Sequence, residues 1–303
     1  MTLPGRLGVA LSGHTRSWDE TLALASAAET AGFDVVFVDG DEARIAGRPE
    51  ARIYDGGLLS AAVLHATQRI HCASIRLPGF SHVAQVARAL ATTQLTTGGR
   101  ALGFFGVGSG RHLQSLGLPP WTAAERVAAL GETLEALRAL WRGLPVTLRG
   151  THTCLEEITA PTPEPAVPIV VAAARPRALE LVARHADVWD ANVPPLRRCL
   201  EPLRPHVPER IPIWLWVLAR PDLREDQAIA QYRRWWPWFP ELGATEYREA
   251  LLFGDPAAWP ERLARLREEL GIDLAVLDLI GLETREAHRV LRAMRAAEPG
   301  PMP

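Results

Sequence analysis

Lysine is missing from this chain: across 303 residues all 33 lysine-plus-arginine positions are arginine. With no side-chain primary amine, Schiff-base and lysine-nucleophile chemistry is excluded. Cysteine is scarce as well. Cys72, Cys154 and Cys199 are odd in number and far apart, so neither a disulfide framework nor a CxxC metal site is indicated, and a reducing cytoplasm is the expected location. No HExxH motif occurs, no two histidines stand four apart, and there is no GxSxG turn, so no metal is expected and serine-hydrolase chemistry lacks its nucleophile. A surplus of basic charge is also lacking. A formal net charge of -2 gives no field to attract a polyphosphate, and no nucleic-acid partner is expected. No uninterrupted apolar run approaches about 18 residues, so no membrane span is expected. Met1 to Arg6 leads straight into a short apolar run without the charged start and long apolar core of a signal peptide.

What is present is 48% hydrophobic and 22% charged residues, enough apolar surface for a substantial core. Short apolar runs alternate with longer amphipathic stretches, which predicts repeated βα units around a parallel sheet. Strands are predicted at Leu7 to Leu11, Phe33 to Asp39, Arg69 to Leu77, Arg100 to Val107, Pro168 to Ala173, Asp187 to Ala191, Ile211 to Ala219 and Leu274 to Leu279. Between them the pattern predicts helices at Asp19 to Ala31, Leu58 to Ala66, His82 to Leu95, Ala123 to Trp141, Pro176 to His185, Leu196 to Arg204, Arg224 to Trp236, Ala257 to Leu270 and Thr284 to Ala297. Asp19 or Ser17 would cap the first helix and Gly32 would stop it. Gly40 to Asp55 reads as a polar loop, and Leu144 to Val167, with its prolines, as an excursion before the fifth strand. Eight strands without a break in composition predict an α/β fold of (β/α)8 TIM-barrel type, one domain over residues 1–303.

In such a barrel the reactive groups come from the C-terminal ends of the strands and the loops that follow them. His14, after the first strand, and His112, after the fourth, are candidate proton donors, with a bystander role as the alternative. Asp39 ends the second strand and could serve as a general acid or base; Asp41 is the second carboxylate there. The turn Ala174, Arg175, Pro176, Arg177 passes from a strand of small residues into a helix whose first turn carries proline and arginine. That chemistry suits a phosphate held by helix N–H groups and guanidinium, although a plain junction with solvated arginines would read the same way. Gly106 through Gly108, Ser109 and Gly110 lacks the complete dinucleotide fingerprint and is either a tight turn or a loop that lets backbone approach a ligand. His71, His82 and His185 read as structural. Trp214, Trp216 and the Trp235 to Phe239 cluster could line a pocket or pack a core.

Taken in order, several segments resemble one family. Ala28-Glu29 with Gly32-Phe33-Asp34 and Asp39 resembles an AE-x-x-GFD-x-V-x-V-x-D signature, and Thr67-Gln68-Arg69-Ile70 a T-x-RI approach to the third strand. Gly99-Arg100 through Gly103 to Gly110, then Leu116-Gly117, follows. Glu132, Leu134, Leu140-Trp141, Gly143, Pro168 to Ala173, Ala186-Asp187 with Trp189, and Gly271-Ile272-Asp273 complete a series covering nearly the whole chain. The chain thus resembles the luciferase-like monooxygenases and the related deazaflavin-dependent oxidoreductases.

The resemblance implies a luciferase-like barrel holding a flavin-type cofactor at its C-terminal mouth, either coenzyme F420 (a deazaflavin) or FMN, and acting on a small-molecule substrate. It implies a strand-three bulge with a non-proline cis peptide within Ala73, Ser74 and Ile75 behind the cofactor ring, and a phosphate seat at Ala174 to Arg177 near Gly108 to Gly110. It leaves a homodimer open. Gly40 stands where relatives commonly carry histidine, so His14 is expected to substitute; Arg111 and His112 stand where an acidic residue is often found. FMN with oxygen would make a monooxygenase, whereas a deazaflavin only passes hydride to or from carbon. The short chain and the Ala-rich turn lean toward the deazaflavin reading, with a non-catalytic flavin-binding barrel as the third alternative.

Overall fold

A computed structural model of the protein describes residues 6–11, 16–38, 40–41, 52–109, 113–114, 116–118, 120–221, 223–235 and 241–296. Its strands are β1 (Leu7–Ala10), β2 (Val35–Val38), β3 (His71–Arg76), β4 (Ala101–Gly106), β5 (Val146–Arg149), β6 (Cys154–Ile158), β7 (Ile169–Ala172), β8 (Val188–Asp190), β9 (Ile213–Arg220), β10 (Leu251–Phe253) and β11 (Leu274–Asp278). The helices are α1 (Trp18–Thr30), α2 (Gly56–Ala66), α3 (Val83–Thr96), α4 (Ala123–Leu140), α5 (Pro176–His185), α6 (Arg197–Leu200), α7 (Glu225–Trp235), α8 (Ala244–Ala250), α9 (Trp259–Leu270) and α10 (Thr284–Ala296). Eight parallel strands close into a barrel in the order β1, β2, β3, β4, β7, β8, β9, β11, with β11 pairing back onto β1. This is the expected (β/α)8 architecture.

Both faces of the strands are buried, which is why they read as continuous apolar runs rather than alternating ones. Val35, Phe37, Leu102, Phe104, Val170, Val188, Trp214, Leu274 and Val276 fill the barrel interior. Their alternates, among them Val36, Val38, Phe105, Val171, Trp189, Leu215 and Leu277, pack under the helices. Gly8 is the small residue that lets this interior close: a Cβ there would lie 2.9 Å from Leu274 Cδ2 and 3.4 Å from the Phe37 ring.

The residues that carry the family resemblance gather mainly at the N-terminal end of the barrel, where they tie strands together. Glu29 Oε1 accepts the backbone N–H groups of Gln68, Arg69 and Ile70 at 2.8, 2.6 and 3.0 Å. Asp34 Oδ2 accepts from Arg6 and Leu7, Asp187 Oδ2 from Ile169, and Asp273 Oδ2 from Ile213, so an aspartate preceding one strand caps the start of its neighbour. Arg100 spends its guanidinium on the carbonyls of Leu64, Thr67, Ile70 and Thr97 and on the Thr67 hydroxyl. Such contacts serve stability and register.

Four expectations need correction. Leu144 to Val167 is not irregular throughout: β5 and β6 form an antiparallel hairpin, fastened by Glu132, whose carboxylate accepts the N–H groups of Thr151, His152 and Thr153. A ninth parallel strand, β10, preceded by α8, pairs with the outer half of β9 along the edge that β8 leaves free. The helix expected over Leu196 to Arg204 shrinks to α6, because Pro202 and Pro205 cannot donate to a continuing ladder. Finally, the peptide bonds of Ala73, Ser74 and Ile75 are not cis; the only cis bond among the described residues is Glu164–Pro165. β3 runs in unbroken register with both β2 and β4, without a bulge.

Candidate active site

The junction between β7 and α5 is built from both sides. Ala173 donates its N–H to the Asp190 carbonyl at 3.0 Å, and its own carbonyl accepts the Trp189 indole N–H at 2.8 Å. Trp189 is fully buried, so the turn is pinned to a rigid side chain. Arg175 then takes the N-cap position in extended conformation and Pro176 opens the helix. No side chain caps this terminus and no acidic residue stands in its first turn. Arg175, Pro176 and Arg177 are exposed, and neither arginine has an ion-pair partner among the described residues. The positive end of the helix dipole and two arginines without ion-pair partners among the described residues therefore stand at one exposed turn, an arrangement suited to a phosphate or carboxylate.

Register brings the glycine loop beside it. Gly106 pairs with Ala172 at the end of β4, so Val107, Gly108 and Ser109 emerge next to Ala173 and Ala174. Gly108 has φ +61°, a left-handed conformation that favours glycine. Gly110 and His112 lie outside the described residues.

The floor of the mouth is apolar and aromatic. Phe37 contacts Phe104, Trp214 and Trp216 at ring-centroid distances of 5.4, 5.8 and 5.1 Å. Trp216 is only partly buried and lies nearly parallel to Phe104, at 22°. Ile75 fills the space above Gly106, where a Cβ would come within 3.0 Å of its Cδ1. Ala73 and Ile75 face the barrel interior, whereas Ser74 is turned toward α2 and α3, so its side chain is not in the mouth. Side chains alternate along β3, and Ser74 shares the outer face with Cys72.

Two inward aspartates stand in this floor: Asp190, in the strand-six tip Asp190-Ala191-Asn192 that the sequence places at the mouth, and Asp278, which the sequence reading does not single out. Asp190 ends β8 and is 1% exposed; its Oδ2 accepts the Trp216 indole N–H at 2.5 Å and its Oδ1 the Asn192 N–H at 3.1 Å. Burial pushes its carboxyl up to about 7, against the pull of those two hydrogen bonds. Asp278 ends β11, is likewise 1% exposed, and accepts the Ile280 N–H at 2.8 Å. Burial raises it to about 6, with Arg220 pulling the other way. The legible signal was an acid at the last inward position of a strand otherwise lined with apolar residues.

Other candidates fall differently. Asp41 is buried, ion-paired to Arg76 Nη1 at 2.8 Å and bonded to the Leu77 N–H at 2.9 Å, so it joins the segment after β2 to the end of β3. Burial raises its carboxyl while Arg76 lowers it. His82 caps α3 through Nδ1. Gly40 is packed against β3: a Cβ there would lie 2.2 Å from Ile75 Cγ2 and 2.5 Å from its carbonyl oxygen, so no histidine fits. His14, Asp39, Arg111 and residues 236–240 lie outside the described residues. A groove of about 820 Å³, lined in part by Arg138, Arg142, His185 and Arg210, opens at the residues preceding β8 and β9, the N-terminal end away from these groups. No helix among the described residues is long and apolar enough to cross a membrane.

Comparison with known proteins gives a consistent answer. The family model described as luciferase-like monooxygenase matches residues 1–251. An F420-dependent glucose-6-phosphate dehydrogenase of Beutenbergia cavernae is 35% identical over 197 residues, 60% of this chain and 55% of that protein. An F420-dependent hydroxymycolic acid dehydrogenase of Mycobacterium tuberculosis is 30% identical over 191 residues, 61% of this chain and 52% of that protein. The chain thus spans about half the length of the curated relatives it matches. Among solved structures, an F420-dependent secondary alcohol dehydrogenase in complex with an F420-acetone adduct superposes with TM-score 0.80 at 20% identity, over 97% of this chain and 99% of that one. The EDTA monooxygenase of Chelativorans sp. BNC1 gives 0.75 at 14% identity, over 98% and 95%. Similarities at this level of identity show the shared fold.

Proposed function

Because the chain belongs to the luciferase-like monooxygenase family, we propose that it is an oxidoreductase holding a flavin-type cofactor in the C-terminal mouth of its barrel. Its reaction is deazaflavin-dependent hydride transfer to or from a small organic substrate. The observation that carries this reading is the β7–α5 junction, where an uncapped helix terminus, Arg175 and Arg177 stand beside the Gly108–Ser109 loop. The positive helix end and the two guanidinium groups, which have no ion-pair partner among the described residues, fit an anionic cofactor tail. The apolar floor of Phe104, Trp216 and Ile75 suits the planar end of the same molecule. When bound, the deazaflavin supplies two-electron chemistry that the side chains lack.

What this chain contributes is binding, orientation and exclusion of water. Arg175 and Arg177 hold the phosphate, Trp189 keeps their turn in place, and the aromatic floor keeps water from the reacting end. Both named curated relatives are F420-dependent, which favours the deazaflavin over FMN. The test is the absorption spectrum and mass of the small molecule that travels with the purified protein, followed by turnover with and without oxygen. A deazaflavin and oxygen-independent turnover are expected. FMN with oxygen consumption would replace the hydride reading with a monooxygenase, and a protein that binds neither would defeat both.

A further inference from the structure

Asp278 is the feature of the mouth that the cofactor seat leaves unexplained. Leu274 and Val276 fill the barrel interior, and alternation along β11 puts Asp278 on the same inward face. Register places it beside Ala10 of β1 and Leu218 of β9. Its Oδ1 is engaged by the Ile280 N–H, while its Oδ2 has no donor among the described residues. A carboxyl that is 1% exposed and has one oxygen without a donor among the described residues is costly unless that oxygen has a partner in use. Trp216 cannot serve, because its indole N–H is committed to Asp190.

Behind the carboxyl stands Arg220, 1% exposed. Its Nη1 donates to the Asp278 and Ala219 carbonyls, Nη2 to the Ile280 carbonyl, and Nε to Gln231 Oε1. That guanidinium clamps the segment after β11 through backbone oxygens and leaves the carboxylate facing inward. Among the described residues, Trp216 of the intervening β9 carries Asp190 of β8 on its indole N–H, and Arg16 reaches the Leu282 carbonyl from the segment after β1. His14 lies outside the described residues.

The geometry points to Asp278 Oδ2 as the proton-exchanging group of the mouth. As an alcohol carbon is oxidised, its hydroxyl O–H bond breaks and the proton passes to Oδ2. The C–H electron pair leaves as hydride to the deazaflavin-class acceptor and the C=O bond forms; the reverse reaction returns the proton to the carbonyl oxygen. This assignment rests on the oxidoreductase reading above. A carboxyl titrating near neutrality is the kind of group that can both take and release such a proton.

The test combines a titration of the free protein with kinetics. In protein labelled with carboxyl-¹³C aspartate, the resonance lost in Asp278→Asn should titrate well above the ordinary aspartate range, and should move when oxidised F420 and excess 2-propanol or glucose 6-phosphate are added. Asparagine keeps an oxygen for the Ile280 N–H, so the variant should fold and bind F420 like the wild type. Its kcat should fall by about 100-fold or more, with loss of the acidic limb of the kcat–pH profile, since the wild type needs the ionised form to accept the proton. An ordinary aspartate titration, or a variant with wild-type kcat and an intact acidic limb, overturns the assignment alone. A wild type that neither binds nor responds to F420 overturns the oxidoreductase reading and takes this assignment with it.

Discussion

Replacing Asp190 by asparagine should reshape the pH dependence of stability. In the folded protein burial lifts this carboxyl from the ordinary 3.8 to about 7, while in the unfolded chain it returns to the ordinary value. Between those two values the folded state keeps a proton that the unfolded state releases. Stability therefore falls as pH rises through that window and levels off above about 7. The change amounts to about 4 kcal/mol, from about 1.4 kcal/mol for each factor of ten in proton affinity. Asparagine does not titrate. Its single oxygen satisfies one of the two donors, Trp216 Nε1 or the Asn192 N–H, so the variant carries a pH-independent loss of about 1–3 kcal/mol. Relative to wild type, Asp190→Asn should thus be less stable near pH 4 and level or more stable above pH 8, a swing of about 4 kcal/mol. Asp278 titrates in both proteins and cancels in the comparison. Urea unfolding at a series of pH values reads the swing directly; stability curves that run parallel from about pH 4 to about pH 9 would refute the burial argument.

Removing Arg175 and Arg177 together should weaken F420 binding by about 3 kcal/mol or more, from two charge-assisted hydrogen bonds, with an unchanged melting temperature because both side chains are exposed and have no ion pair among the described residues. Fluorescence titration and a thermal melt check the two halves. Gly40→Ala should destabilise the fold by about 1–3 kcal/mol, since the added methyl meets Ile75 Cγ2 at 2.2 Å and its carbonyl at 2.5 Å, and denaturant unfolding measures it. Glu132→Ala should leave three N–H groups without their acceptor and expose the β5–β6 hairpin to proteolysis at Thr151 to Thr153, while the barrel itself stays folded. A digestion time course with mass spectrometry reads it.

The barrel was legible because most of its eight strands are apolar runs buried on both faces, and because the carboxylates that staple their starts, Glu29, Asp34, Asp187 and Asp273, sit in recognisable motifs. Those same motifs say little about chemistry, since they stand at the end of the barrel away from the mouth. β10 was missed because three residues, Leu251–Phe253, carry no periodicity of their own and pair only because β8 ends early. Ser74 was read as part of a backbone run behind the cofactor ring, and alternation, which sends every second side chain to the helices, turns its side chain outward. Asp190 was read only as part of the strand-six tip, and Asp278 was passed over, for a different reason. A lone aspartate at a strand end looks like the Asp41 type, a partnered structural carboxylate, until burial and the direction of the strand are known. The α5 terminus was found because proline and arginines in a first turn after small residues are a local signal, independent of tertiary context.

The most direct measurement is an equilibrium titration of cofactor-free protein with coenzyme F420, carried out in parallel on the wild type and the Arg175→Ala, Arg177→Ala double variant. Saturable one-to-one binding by the wild type, weakened by about 100-fold or more in the variant, is the predicted result. Equal affinity in the two proteins, or no binding by either F420 or FMN, would contradict a cofactor anchored where the fifth barrel strand gives way to its helix.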